Sequence, residues 1–176
     1  MKVLVAYTTA YGATRGVAER IAQRLTEAGH EADLHDLAEP VDPSAHAAVV
    51  LGSSVHNGQW LAPAARFADL HRAHLAGKPA WLFSVQTIGA TSAMISGRLA
   101  GWVRPKMKEP KVAAALRATA TVREYRAFAG AIEPEQWPGI VGRVVFRLAG
   151  GRYGDHRDWA DIDAFAARII RNIDRP

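Results

Sequence analysis

The chain contains no cysteine. Disulfides, thiolate catalysis, iron–sulfur clusters and cysteine-based zinc sites are thereby excluded, and a reducing compartment is compatible. No apolar run approaches the roughly 20 residues of a membrane-spanning helix. The N-terminal run Val3-Leu4-Val5-Ala6 is too short for a secretory core and lacks a small-residue cleavage site. The expectation is a cytoplasmic protein, or one held peripherally at the inner face of the cell membrane. Two nucleotide signatures are also missing from the loop after that run. It has no Gly-x-x-x-x-Gly-Lys-[Ser/Thr], so it lacks the lysine of a triphosphate loop, and no Gly-x-Gly-x-x-Gly for a dinucleotide pyrophosphate.

What is present is an ordinary globular composition: 176 residues, 49% hydrophobic and 22% charged. One domain spanning 1–176 is expected. The charge is unevenly placed. Residues 98–157 carry 12 Lys/Arg against 5 Asp/Glu, while the remainder carries 10 against 12. An anionic membrane surface, nucleic acid or an acidic ligand can each answer such asymmetry, as can a plain solvated basic face.

Hydrophobic patterning gives five strands alternating with helices. Apolar runs at 2–7, 46–52 and 80–85 read as buried strands, 31–37 as a peripheral strand and 126–132 as a fifth. Ala18, Ile21, Ala22 and Leu25 recur on one helical face, and Gly29 stops that helix. A second helix is predicted over 62–75, with Pro63 in its first turn. Ala113 to Leu116 has helical composition, but Pro105 and Pro110 interrupt any long helix before it. A terminal helix places Trp159, Ile162, Phe165, Ala166, Ile169 and Ile173 on one face, with Asp158 as N-cap. This alternation predicts an α/β fold, a doubly wound five-stranded parallel sheet with helices on both faces.

Ligands of such sheets bind at the carboxyl ends of the strands. Three polar loops leave those ends, at 8–14, 53–60 and 84–89, and should converge. The first, Thr8-Thr9-Ala10-Tyr11-Gly12-Ala13-Thr14, joins hydroxyls and a glycine to a helix N-terminus. Backbone N–H groups there, with the positive end of the helix dipole, form an anion site. Response regulators share the alternation but need acids after the first strand and an aspartate after the third. Thr8 and Gly52-Ser53 stand in those places. A loop that holds one terminal phosphate without a counter-cation suits a mononucleotide such as FMN.

The stretch Val3 to Leu25, with Tyr-Thr-Thr-Ala-Tyr-Gly-Ala-Thr-Arg inside it, resembles the phosphate loop and first helix of the flavodoxin superfamily. Within that superfamily the chain is most similar to the menaquinone-dependent protoporphyrinogen IX dehydrogenases. Val49 to Gly58 resembles their second flavin loop and Phe83-Ser84-Val85-Gln86 their third. Gly130-Ala131-Ile132, Leu148-Ala149-Gly150-Gly151 and Asp158-Trp159 sit where that family carries comparable segments. The resemblance implies FMN as cofactor and a flavodoxin-like strand order 2-1-3-4-5. It implies that Thr8, Thr9, Ala10, Tyr11, Gly12, Ala13 and Thr14 hold the phosphate. Ser53, Ser54, Val55, His56, Asn57 and Gly58 would flank the isoalloxazine with Ser84, Val85, Gln86, Thr87 and Ile88. Asn57-Gly58 is the candidate for a peptide that reorients beside the flavin N5, and Trp60 or Tyr11 for a stacked aromatic. His56 is a candidate proton relay. No metal site is expected, because His71 and His74 have no third ligand near them in sequence.

Extra segments lie at about 90–121 and 133–157. In the second, Ile140, Val141, Val144, Val145 and Leu148 fall on one helical face, with Arg143, Arg147, Arg152 and Arg157 beside or after it. Such a helix either rests on an anionic membrane surface or packs its stripe on the domain. The resemblance implies an oxidation of protoporphyrinogen IX with menaquinone as acceptor, in heme biosynthesis, and no nucleic-acid partner. A flavodoxin-type electron carrier and an FMN-dependent quinone reductase are the alternatives.

Overall fold

The computed structural model describes residues 1–136, 139–148 and 150–173. Ala149, within the Leu148-Ala149-Gly150-Gly151 segment, lies outside them. In chain order the first elements are β1 (Lys2–Thr8), α1 (Ala13–Glu27), β2 (Glu31–Asp36), β3 (Ala48–His56) and β4 (Gln59–Trp60). Then come α2 (Ala62–Leu70), α3 (Arg72–Leu75), β5 (Pro79–Gln86), α4 (Gly97–Val103) and α5 (Lys111–Thr119). The chain continues with β6 (Thr121–Ala129), β7 (Ala131–Ile132), α6 (Ile140–Leu148), β8 (Gly154–Asp155) and α7 (Trp159–Asn172).

The main sheet runs β2-β1-β3-β5-β6 with these pairs all parallel. Counted over its five parallel strands, this is the expected order 2-1-3-4-5. Alternation along β1 shows how both faces are filled. Val3, Val5 and Tyr7 join the cluster with α1 and α7, while Leu4 and Ala6 join the cluster with α2, α3 and α5. Phe83, Phe128 and Phe165 stack through the first cluster, Phe128 meeting Phe165 edge-on at 5.6 Å.

Several boundaries differ from the sequence reading. The strand expected at 46–52 continues to His56, so 53–60 is a hairpin rather than a loop. The helix expected over 62–75 breaks at His71, whose φ of −102° and ψ of 16° leave the helical region. The strand expected at 126–132 is two. β6 starts at Thr121, and β7 pairs instead with β8. The polar start of β6 hid it: an edge strand carries charge, and Glu124 binds Arg168 of α7 at 2.9–3.1 Å.

The two extra segments share a third apolar cluster, built from Ile88, Met94, Ile95, Ala100, Ile132 and Phe146. Backbone bonds stitch it shut: Arg152 N to Met94 O at 2.7 Å, and His156 N to Gly130 O at 3.1 Å. α6 faces that cluster through Phe146. Its predicted apolar stripe points away from the domain, with Ile140, Val141, Val144, Val145 and Leu148 between 51% and 82% exposed. Arg157 is engaged within the protein, bonded to Asp155 at 2.7–2.9 Å and set 4.5 Å over the Trp159 ring. Among the described residues no helix is long and apolar enough to cross a membrane.

α1 and α7 are clasped by Asp163, which accepts paired bonds from Arg20 (2.7 and 2.8 Å) and Arg24 (3.0 and 2.7 Å). The bonds from Arg24, and then from Arg20, hold the Asp163 carboxyl well below the usual aspartate range. A depressed carboxyl stabilises the fold above its unfolded value of about 3.9, and that stabilisation is lost as pH falls toward the folded value. Asp163→Asn is therefore expected to lower Tm at pH 7 by about 2–5 °C. The gap from the native chain should narrow in melts taken below about pH 4.

Candidate functional site

The switch in strand order falls between β1 and β3, where α1 leaves for one face and α2 for the other. The crevice between them is where an α/β sheet binds its ligand. Into it come all three polar segments. Ser54 fastens the first to β3: its Oγ accepts from Ala10 N at 3.2 Å and lies 2.7 Å from Thr14 Oγ1. Thr9 Oγ1 accepts from Gly12 N at 2.9 Å. Gly12 then turns the chain with a left-handed φ of 89°, a conformation that a Cβ disfavours.

The turn leaves α1 without a cap. No side chain accepts at its N-cap and no acid stands in its first turn. The N–H groups of Ala13, Thr14 and Arg15 precede the first backbone bond of the helix, Gly16 N to Gly12 O. Three donors and a positive dipole end therefore lack an anion, and a terminal phosphate supplies one. This arrangement fits a mononucleotide phosphate.

β3 ends in a two-residue hairpin. His56 pairs with Gln59, and the residues between, Asn57 and Gly58, have φ of 50° and 73°. Both are left-handed, as the mirror-image turn of a twisted hairpin requires, and Asn-Gly is the pair best suited to it. The hairpin edges a cavity of about 390 Å³. Ala10, Tyr11 and Ala13 line it from the first loop, Ser54 to Asn57 from the second, and Val85 to Thr87 from the third. The three segments thus meet around one space, within the roughly 300–1,000 Å³ usual for small-molecule sites.

Other expected residues stand behind this wall. Thr8, Thr14, Ser53 and Ser84 are buried. Ser53 Oγ donates to Ser54 O at 2.7 Å and accepts from Leu61 N at 3.0 Å, bracing the exit of the hairpin. Ser84 Oγ accepts from Trp60 Nε1 at 2.7 Å and Tyr125 Oη at 2.9 Å. Burial pushes the Tyr125 phenol up, against the opposing bond to Ser84, so at neutral pH it remains a donor. Trp60 is consequently a core residue, leaving Tyr11, half exposed at the cavity mouth, as the aromatic available for stacking.

Sequence reasoning missed one side of the cavity. Leu61, Met94 and the run Gly130-Ala131-Ile132 complete it. A Cβ on Gly130 would stand 2.9 Å from Val85 and 3.1 Å from Met94, so the glycine permits this close approach. Its position between two alanines at a strand end was the available signal. A second cavity, about 540 Å³, shares Val55, Asn57, Gln86 and Thr87 with the first. It extends past Gly58 and Ile88 to Val103, Met107, Lys108 and Lys111.

A family model described as flavodoxin domain matches residues 4–139. The chain belongs to the flavodoxin-domain family. FMN is accordingly its cofactor, and the uncapped helix and the crevice agree with that. The chain aligns over 98% of its length with a flavodoxin from the domain Archaea, covering 99% of that chain, with a TM-score of 0.62 and 15% identity. For oxidised flavodoxin 1 from Bacillus cereus the TM-score is 0.59 at 17% identity, over 97% of this chain and 98% of that one. Among curated relatives, protoporphyrinogen IX dehydrogenase [quinone] of Escherichia coli strain K12 is 23% identical over 192 aligned positions. The match covers 100% of this chain and 98% of the relative.

Ala13→Asp tests the phosphate site, because an acid in the first turn ordinarily stabilises a helix. FMN affinity is expected to fall about 10- to 100-fold from charge repulsion at short range. Riboflavin, which has no phosphate, should lose little, and the apoprotein melt should not drop. Titrations of both ligands by fluorescence check this; equal losses would move the phosphate elsewhere.

Proposed function

We propose that the chain is an FMN-dependent dehydrogenase that oxidises protoporphyrinogen IX to protoporphyrin IX, with a quinone, menaquinone, as acceptor in heme biosynthesis. The observation that carries this is the extent of the curated match. The flavodoxin model stops at residue 139, whereas the match to the protoporphyrinogen dehydrogenase covers 100% of this chain, α6 and α7 included, and 98% of the relative. The porphyrinogen loses six electrons and six protons, and three quinones become quinols.

Bound FMN supplies the two-electron exchange. Phosphate is held by the first loop and the start of α1, through Thr9 to Thr14. The hairpin Ser54 to Gly58 and the strand exit Val85 to Ile88 flank the ring, while Thr8, Ser53 and Ser84 hold those segments in place. Asn57-Gly58 would supply the peptide free to reorient beside the bound flavin.

The exposed stripe of α6 supports a lipid surface as the workplace. Five large aliphatics stand out from one short helix that is anchored from behind by Phe146. Soluble monomers seldom expose so continuous a patch. Arg147 lies 5.3 Å over the Tyr153 ring beside it. Apolar insertion plus basic flanks is the chemistry of an interfacial helix on anionic lipid, where quinone and macrocycle both dissolve.

The competing reading is a flavodoxin-type carrier, favoured by the end-to-end likeness to flavodoxins. Anaerobic incubation of FMN-loaded protein with protoporphyrinogen IX and a menaquinone analogue separates the two. Porphyrin fluorescence should rise well above the autoxidation rate; no rise would favour the carrier. For the lipid surface, Val144→Asp combined with Leu148→Asp should abolish sedimentation with phosphatidylglycerol vesicles. The rate with a water-soluble quinone should be retained, and unchanged sedimentation would remove α6 from the interface.

A further inference from the structure

We propose that the second cavity receives the macrocycle, and that Lys108 and Lys111 bind its two propionate carboxylates. The inference rests on the proposed function and adds the residues that select its substrate.

The cavity is contiguous with the cofactor crevice across Val55, Asn57, Gln86 and Thr87, so its occupant lies against whatever fills the first space. Its other walls come from the link between α4 and α5, the stretch least legible in the sequence. Val103, Met107 and Ile88 give that side apolar surface, as a hydrophobic macrocycle requires.

The charge around it is mostly positive, with Glu109 as the one acid among the lining residues. Residues 98–111 hold five cations, Arg98, Arg104, Lys106, Lys108 and Lys111, against the single acid Glu109. Three of these charges are engaged nearby. Arg104 donates to Gly89 O at 2.8 Å, Lys106 lies 3.2 Å over the Trp102 ring, and Glu109 accepts from Arg117 at 3.1 Å. Lys108 and Lys111 line the cavity, and neither forms an ion pair among the described residues.

Lys111 also opens α5, whose N-cap is Pro110 and whose first turn holds no acid. Its backbone N–H donates at 3.3 Å to Gln59 Oε1, from the hairpin that edges the cofactor crevice. The N-terminus of α5 and two lysines thus line a cavity with a partly apolar wall, and the one acid there, Glu109, is taken by Arg117. A quinone carries no charge and offers these lysines only carbonyl acceptors. A macrocycle carrying two carboxylates satisfies both, and the apolar wall takes its ring.

The test compares protoporphyrin IX with its dimethyl ester, in one detergent, by fluorescence titration of the FMN-loaded protein. Native protein should bind the diacid at least about tenfold more tightly than the ester. Lys108→Gln and Lys111→Gln should each weaken the diacid several-fold, and both together should bring it to the level of the ester. Affinity for the ester and the KM for the quinone analogue should not move, and Lys108→Arg should restore most of the loss.

Equal binding of diacid and ester by native protein, with porphyrinogen oxidation intact, would overturn the lysine assignment alone. Discrimination by the lysines without any oxidation would leave the subsite standing and remove the dehydrogenase. No porphyrin binding at all would remove both.

Discussion

The β1–β3 pairing is where the sheet reverses direction in its strand order, and both the crevice and its contents depend on it. Because α1 and α2 leave adjacent strands toward opposite faces, the backbone diverges at that point and cannot close over the carboxyl ends. The gap is held rather than merely left open. One hydroxyl, Ser54 Oγ, ties the loop after β1 to β3, so the donors at the head of α1 and the hairpin after β3 keep a fixed separation. Fixed donors bind an anion without an ordering cost at the moment of binding.

The parts of the fold legible in the sequence were those whose pattern is local. Val3 to Ala6 and Val49 to Leu51 are continuous apolar runs because both sheet faces are covered. Ala18, Ile21, Ala22 and Leu25 repeat at helical spacing because one face of α1 is buried. Asp158 does cap α7, accepting from Asp161 N at 3.1 Å. The illegible parts obey partners far away in sequence. Thr121 to Tyr125 looks polar, and its Glu124 is answered by Arg168 of α7, 44 residues on. Ser53 and Ser84 have the composition of ligand contacts, yet Leu61, Trp60 and Tyr125 use their hydroxyls. Sequence can show that a hydroxyl leaves a strand end, but not which neighbour reaches it first.

Charge supplies the division of labour. The side of the crevice built by the first 90 residues is polar through backbone donors and neutral side chains, suited to one phosphate. The later half brings the lysines and arginines, and it brings them on elements that a minimal doubly wound sheet does not need. On the proposed reading, cofactor retention and substrate choice would fall to different stretches of chain, so that either could vary without dismantling the other.

The third apolar cluster makes two distant stretches of chain depend on each other. Ile88, Met94, Ile95 and Ala100 come from before β6, whereas Ile132 and Phe146 come from after it, and neither group buries itself alone. Without the second segment β7 would lose its mate, and without either one, part of the cluster would lie open beside the crevice. The two segments are thus one packing unit, each supplying core to the other.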